Sequence, residues 1–262
     1  MTPDISEFSY GFALTHELIA LAGEPLRAAP IFPSLIEEGK AGGGYDVHLD
    51  IPGFPLFLQF KLAECMVRGT AAEARYPHNF PLPFYRMKIT ERRRSAQHDM
   101  LLQLDDGHNQ VFYAAPRFHT VAELNAAYQA QSISNRSFYI RPSDIGRLDD
   151  DSHHLAFTTT QSRLFSEPRD VSGITGEAFP AVLRERRLHD DRAFRDGPLD
   201  EALAKAEQIT RERSLPLDLP DHGSVAKSEE QRKLRRLADL SLRYFGAQLF
   251  IVQDATPSGS AP

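Results

Sequence analysis

Two runs of alternating residues on either side of Pro52-Gly53 constrain this chain more than any other stretch. Val47, Leu49 and Ile51 alternate with Asp46, His48 and Asp50, and beyond the Pro-Gly pair Leu56, Leu58 and Phe60 alternate with Phe57, Gln59 and Lys61. A period of two on both sides of a turn predicts two half-buried antiparallel strands joined as a hairpin. With Pro52 and Gly53 in the loop, Asp46 falls opposite Gln59, Val47 opposite Leu58 and Leu49 opposite Leu56. That register places the aliphatic side chains on one face and Asp46, Gln59 and Lys61 on the other. A carboxylate, an amide oxygen and an ammonium gathered there suit a divalent metal beside a phosphate.

The remaining composition allows such a site but narrows its context. At 262 residues the chain can bury one large core, or a medium domain with an appendage, and 41% apolar with 25% charged residues is ordinary for a globular protein. Cys65 is the only cysteine, which excludes an intrachain disulfide and a cysteine zinc site. No run of 18 apolar residues and no basic leader is present, so no membrane partner is expected and a cytoplasmic location is the default. A net charge of −6 argues against indiscriminate coating of nucleic acid, though a local basic groove remains compatible with it. Arg86, Lys88, Arg92, Arg93 and Arg94, offset locally by Glu91, are the candidate groove; a solvated charged turn is the other reading.

Periodicity predicts helices at 7–22 (Phe12, Leu14, Leu18, Ile19 and Leu21 inward), 94–104, 181–191, 199–213 and 229–245. Thr120 and Glu123 form a capping box for a further helix reaching Gln129. Strands are expected at 84–89, 110–115, 137–140, 154–158 and 247–252, with a short edge element near 30–37, a loop over 62–80 and backbone freedom at Gly42–Gly44. From about Asp170 the sequence turns to mixed-charge helical stretches, and the tail from Thr256 is rich in Pro, Ser and Gly. This reads as an α/β (α+β) core over 1–170 and a mainly helical extension over 171–262 whose final strand returns to the sheet. The helices of the extension are a candidate surface for a homodimer or a partner protein, or a solvated arm.

Asp46, the Pro-Gly turn and Gln59-Phe60-Lys61 together resemble the active-site signature of the PD-(D/E)xK nuclease superfamily. The match is closest to its Mrr-like branch, in which Gln replaces the acid of the second element. Tyr45 stands where the name has Pro. The resemblance spans roughly residues 10–160 and implies a restriction-endonuclease-like mixed sheet flanked by helices. It also implies metal-dependent phosphodiester hydrolysis with Mg²⁺ or Mn²⁺, on DNA ahead of RNA, in restriction or anti-phage defence.

Within that resemblance Asp46 is the metal ligand, the Gln59 side-chain oxygen a second and the Phe60 backbone carbonyl a third, since Mg²⁺ prefers hard oxygen donors. Lys61 would position the attacking water or stabilise charge on the phosphate. A neutral Gln59 leaves the site one negative charge short, and Glu17 on the first helix resembles the acid that many members supply from there. Gln97 resembles the Gln of the helix that follows the second element, with His98 as a supporting donor, although residues 62–93 intervene here. Of His153 and His154, at most one could join a metal cluster with Asp149–Asp151, because adjacent strand residues face opposite ways, and the stretch reads as an acidic loop entering a strand. A second reading, from a different class, is a catalytically silent member of the same fold that binds nucleic acid or protein. A small-molecule enzyme on an unrelated fold has little support, as P-loop, Rossmann, Gly-x-Ser-x-Gly and His-Glu-x-x-His signatures are missing.

Overall fold

Val111-Phe112-Tyr113-Ala114-Ala115 contains no charge and is buried throughout, so it can lie only where both faces of a sheet are covered. In the computed structural model, which describes residues 1–21, 52–149, 152–165, 167–189, 191–218 and 228–253, this run forms the central strand β4 (Gln110–Pro116). On one side of it lies β1 (Gly53–Phe60), parallel; on the other lies β5 (Ser137–Ile140), antiparallel. The sheet is completed by β9 (Ile174–Thr175) beside β5 and by β10 (Gln248–Gln253) beside β1. A second sheet runs β2 (Ala63–Met66), β3 (Phe84–Ile89), β6 (His153–Phe157), β7 (Ser162–Leu164) and β8 (Arg169–Asp170). The chain is therefore a mixed α/β protein of the α+β kind.

Helices cover the central sheet on both faces. Tyr10, Ala13 and Leu14 of α1 (Glu7–Leu21), Ala127 of α3 (Val121–Gln129) and Phe179 of α5 (Phe179–Arg187) pack with Leu56, Leu58, Phe112 and Tyr139. Gly11 is what lets α1 approach so closely, because a Cβ there would lie 2.5 Å from the Phe60 ring. Across the sheet, Phe57, Val111 and Tyr113 share a core with α2 (Gln97–Leu104), α6 (Pro198–Glu212), α7 (Glu229–Leu240) and the inner face of the second sheet. Residues on both sides of position 170 thus build one continuous core. The short helix α4 (Pro142–Ile145) follows β5, and a π-helical turn, Ser241–Phe245, carries α7 into β10.

The hairpin expectation is overturned. Leu56 pairs with Phe250 on one side and Gln110 on the other, and Leu58 with Gln248 and Phe112, so neither edge is left for a strand at 45–51. Gly53 is strand rather than turn, opposite Gln253, and Pro52 bridges to Ala193. Alternation fixes which face a side chain takes, but not which segment fills an edge, and here the last strand of the chain takes it. Pro55 fits because it lies just ahead of the β4 ladder, which begins at Leu56, so its missing N–H interrupts no bond to that strand.

Smaller differences have local causes. Phe12 points outward, 44% exposed, and Tyr10 takes the inward place. The expected loop over 62–80 contains β2, whose alternation is short but real, with Ala63 and Cys65 buried. The helix expected from Arg94 starts at Gln97, because the amides of Arg94 and Ser95 turn back onto the Glu91 carbonyl. The segments 30–37 and Gly42–Gly44, together with Asp46 and Asp50, lie outside the described residues.

Candidate functional site

Gln59 stands one residue before the carboxyl end of β1, in register with Tyr113 of the parallel β4. Its side chain therefore shares the face of Phe57 and Val111, the face that α2 covers. Gln97, at the start of α2, donates from Nε2 to the Phe245 carbonyl at 3.0 Å, which closes the π-helical turn. Gly246 follows that turn with φ +62°, and a Cβ on it would lie 2.1 Å from Gln97 Nε2 and 3.4 Å from Gln59 Nε2. Three segments distant in sequence thus meet here: the end of β1, the start of α2 and the bend into β10.

This meeting point is short of hydrogen-bond donors. Gln59 is 5% exposed and its Oε1 has no partner; Gln248, opposite Leu58 and so on the other face of the sheet, also has a buried Oε1 without one. A buried amide oxygen left unpaired costs about 1–3 kcal/mol, so two at one end of a sheet call for an explanation. Lys61, two residues beyond Gln59, still bonds its backbone N–H to the Ala114 carbonyl at 2.9 Å, while its side chain is half-buried. Burial pushes the Lys61 ammonium below its ordinary value, and Glu7 of α1 opposes this only in part. Glu7 belongs to the layer across the sheet from α2, so Gln59 and Lys61 have different neighbours. Phe60 faces α1, its ring 5.9 Å from Tyr10 in an edge-on contact, and its backbone is in register with Ala114.

His98 supports the site from behind. Its Nε2 lies 2.8 Å from the Gly146 carbonyl and its Nδ1 2.9 Å from the Tyr113 hydroxyl. A carbonyl can only accept, so Nε2 carries the proton and the Tyr113 O–H donates to Nδ1. Burial lowers the His98 basicity, in keeping with this neutral form, and the ring ties α2 to β4 one residue from Gln97.

The other expected site residues have different duties. Glu17 is buried, with Oε2 accepting from the Ile133 amide at 2.6 Å and Oε1 from the Ser134 amide at 2.9 Å. Both of its oxygens are spent on the turn ahead of β5. Arg86 donates to Glu64 and to Glu73, Arg92 pairs with Asp99, and Arg93 and Arg94 pair with Glu91. The expected groove is neutralised by acids that the fold brings in from β2, the 67–83 loop and α2. Lys88 is exposed on β3 opposite His154. His153 points inward and bonds the Asp149 carbonyl, so the two histidines do take opposite faces.

Among the described residues, no group of three or more His, Cys, Asp or Glu side chains is placed to hold a metal ion. Among them also, no helix is long and apolar enough to cross a membrane. Sequence reasoning missed Gly246 and Gln248. The signal for Gly246 was a glycine ending a helical pattern just before an apolar strand, the usual place for a left-handed residue. Gln248 carried no comparable signal. No family model, curated protein or solved structure matches this chain.

Proposed function

We propose that this chain is a restriction-endonuclease-like, metal-dependent nuclease that hydrolyses phosphodiester bonds, in DNA ahead of RNA, at the carboxyl end of β1. The observation that carries the reading is the buried, unpartnered Gln59 Oε1 beside Gln97, on a strand whose parallel neighbour β4 is reached through β2, β3 and α2. A hard oxygen with no competing donor suits Mg²⁺ or Mn²⁺ in kind; the carboxylate such an ion also requires is Asp46 by the family resemblance alone, since the hairpin register that set it opposite Gln59 does not form. When bound, the ion supplies an acidified water and positive charge against the phosphate. Gln59 would offer its carbonyl as an uncharged ligand, with Gln97 fixed beside it by its bond to the Phe245 carbonyl. Lys61, partly desolvated, presents an ammonium to a phosphate oxygen and attracts it more strongly than a fully hydrated lysine does.

Two observations favour a second reading, a catalytically silent member of the same fold. Glu17 is committed to backbone amides, and Arg86 is held by two carboxylates. One experiment separates the readings: Mg²⁺- or Mn²⁺-dependent cleavage of plasmid and linear DNA by wild type, Asp46→Ala and Lys61→Ala. Cleavage by wild type alone, with all three proteins equally stable, is the expected outcome. Activity surviving in Asp46→Ala places the chemistry elsewhere, and an inactive wild type that still shifts DNA in a gel selects the silent reading.

A further inference from the structure

The nuclease reading names residues on β1 and α2, but the wall that brings them together comes from the far end of the chain. The π-helical turn Ser241–Phe245 ends in Gly246, and the bend is locked by the Ala247 amide on the Ser241 carbonyl and the Ser241 hydroxyl on the Ala247 carbonyl. Single π turns inside helices recur at functional sites because they re-aim backbone groups. Here the turn aims the Phe245 carbonyl at Gln97 Nε2. The bare Gly246 backbone is what allows Gln97 to reach that carbonyl, since any Cβ would fall 2.1 Å from Nε2. The same Cβ would touch Gln59 from its Nε2 side, at 3.4 Å. With Nε2 facing Gly246, Gln59 is left to present Oε1, the atom without a partner, elsewhere.

We infer that Gly246 is a positioning residue for the Gln59–Gln97 pair, and that the C-terminal π turn is a working part of the β1 site rather than a connector. The inference rests on the nuclease reading, because it treats Gln59 Oε1 as the ligand-facing atom. A side chain at position 246 displaces the Gln97 amide, frees the Phe245 carbonyl and allows the Gln59 amide to rotate. The effect on the site should therefore pass through Gln97, whereas a purely structural glycine would act on stability alone.

The test uses the full chain with Gly246→Asn, Gly246→Ala, Gln97→Ala and Gln97→Ala/Gly246→Ala, read by Mn²⁺ affinity in solution and by KM and kcat for plasmid cleavage. Asn tolerates a left-handed backbone yet still adds the Cβ, so it separates the clash from the strain. Gly246→Asn is expected to weaken Mn²⁺ binding roughly tenfold, the size of coupling usual for groups in contact. The double variant should be no worse than Gln97→Ala alone. Wild-type Mn²⁺ binding and cleavage retained in Gly246→Asn and Gly246→Ala overturns the positioning role and leaves the nuclease reading standing. Additive losses in the double variant also overturn it, because they show that Gly246 does not act through Gln97. A wild type with neither Mn²⁺ binding nor cleavage rejects the nuclease reading itself, and this inference with it.

Discussion

Two buried polar clusters, one on each face of the central sheet, differ in how far their groups are satisfied. On the α1 face, the Glu17 carboxylate takes the amides of Ile133 and Ser134, the Tyr10 hydroxyl donates to Ser137, Ser137 donates to the Ile133 carbonyl, and the Ser134 and Tyr139 hydroxyls bond each other. On the α2 face, at the end of β1, the Gln59 carbonyl is buried with no donor, and two residues further on Lys61 leaves the sheet with a half-buried ammonium that feels Glu7 of α1 instead. A satisfied network of this kind fixes one arrangement of α1 against β5, and its members are costly to remove. Unsatisfied groups instead hold free energy in reserve for something not yet present. The contrast shows that Glu17, although its sequence position suggested chemistry, belongs to the frame.

Removing Glu17 should give the largest effect and would strain the comparison most if it did not. Glu17→Ala strands two buried amides that each lose a charge-assisted bond, so a loss of about 3 kcal/mol is expected. Urea unfolding should show a lower midpoint at unchanged slope. A loss below about 1 kcal/mol would mean that water replaces the carboxylate and that the α1 network is not the frame. Cleavage activity per folded molecule should be unchanged, since Glu17 has no free oxygen to give a metal.

What the sequence made legible follows the range of each interaction. The α3 capping box was legible because its two residues sit three apart, and the Thr120 hydroxyl and Glu123 carboxylate do exchange bonds with each other's end of the turn. β4 was legible because a charge-free run can only be a buried element. The neighbour of β1 was not, because Leu56 reaches across most of the chain to Phe250 and nothing near position 56 encodes that choice. Gln59 and Gln97 could each be picked out as residues, whereas their meeting depends on a left-handed glycine near the far end of the chain. The basic cluster misled for the same reason: Glu91 is adjacent in sequence, but Glu64, Glu73 and Asp99 arrive only through the fold.

Lys61 sharpens the comparison through pH. Burial sets its folded value below the ordinary 10.5, so the charged form is the one the fold disfavours. At neutral pH the ammonium is charged in both folded and unfolded states, and the full penalty is present. As pH rises through the lowered folded value, the folded state loses its proton first, and stability is recovered until the ordinary value is passed. Wild type should therefore gain on Lys61→Met as pH climbs from 7 towards 10.5, measured as the difference between their unfolding free energies. Tyrosine titration is common to both proteins and cancels in that difference. A difference that stays flat with pH would show Lys61 to be solvated like any surface lysine.

Gln59→Leu carries the smallest expected change in stability and the most pointed one. Leucine keeps most of the volume, removes the unpaired oxygen and joins a face already built from Phe57, Val111 and Tyr113. Replacing an unsatisfied buried acceptor with an apolar group should be neutral or stabilising, by up to about 1 kcal/mol, where the same exchange at a bonded amide would cost about that much. Thermal unfolding decides the sign. On the proposed nuclease reading, stability and function move in opposite directions, because the oxygen that burdens the fold is the one that would serve the ion, so Mn²⁺ affinity should fall as the melting temperature holds or rises. A clear drop in stability would mean that Gln59 already has a donor, and the two buried clusters would then be alike.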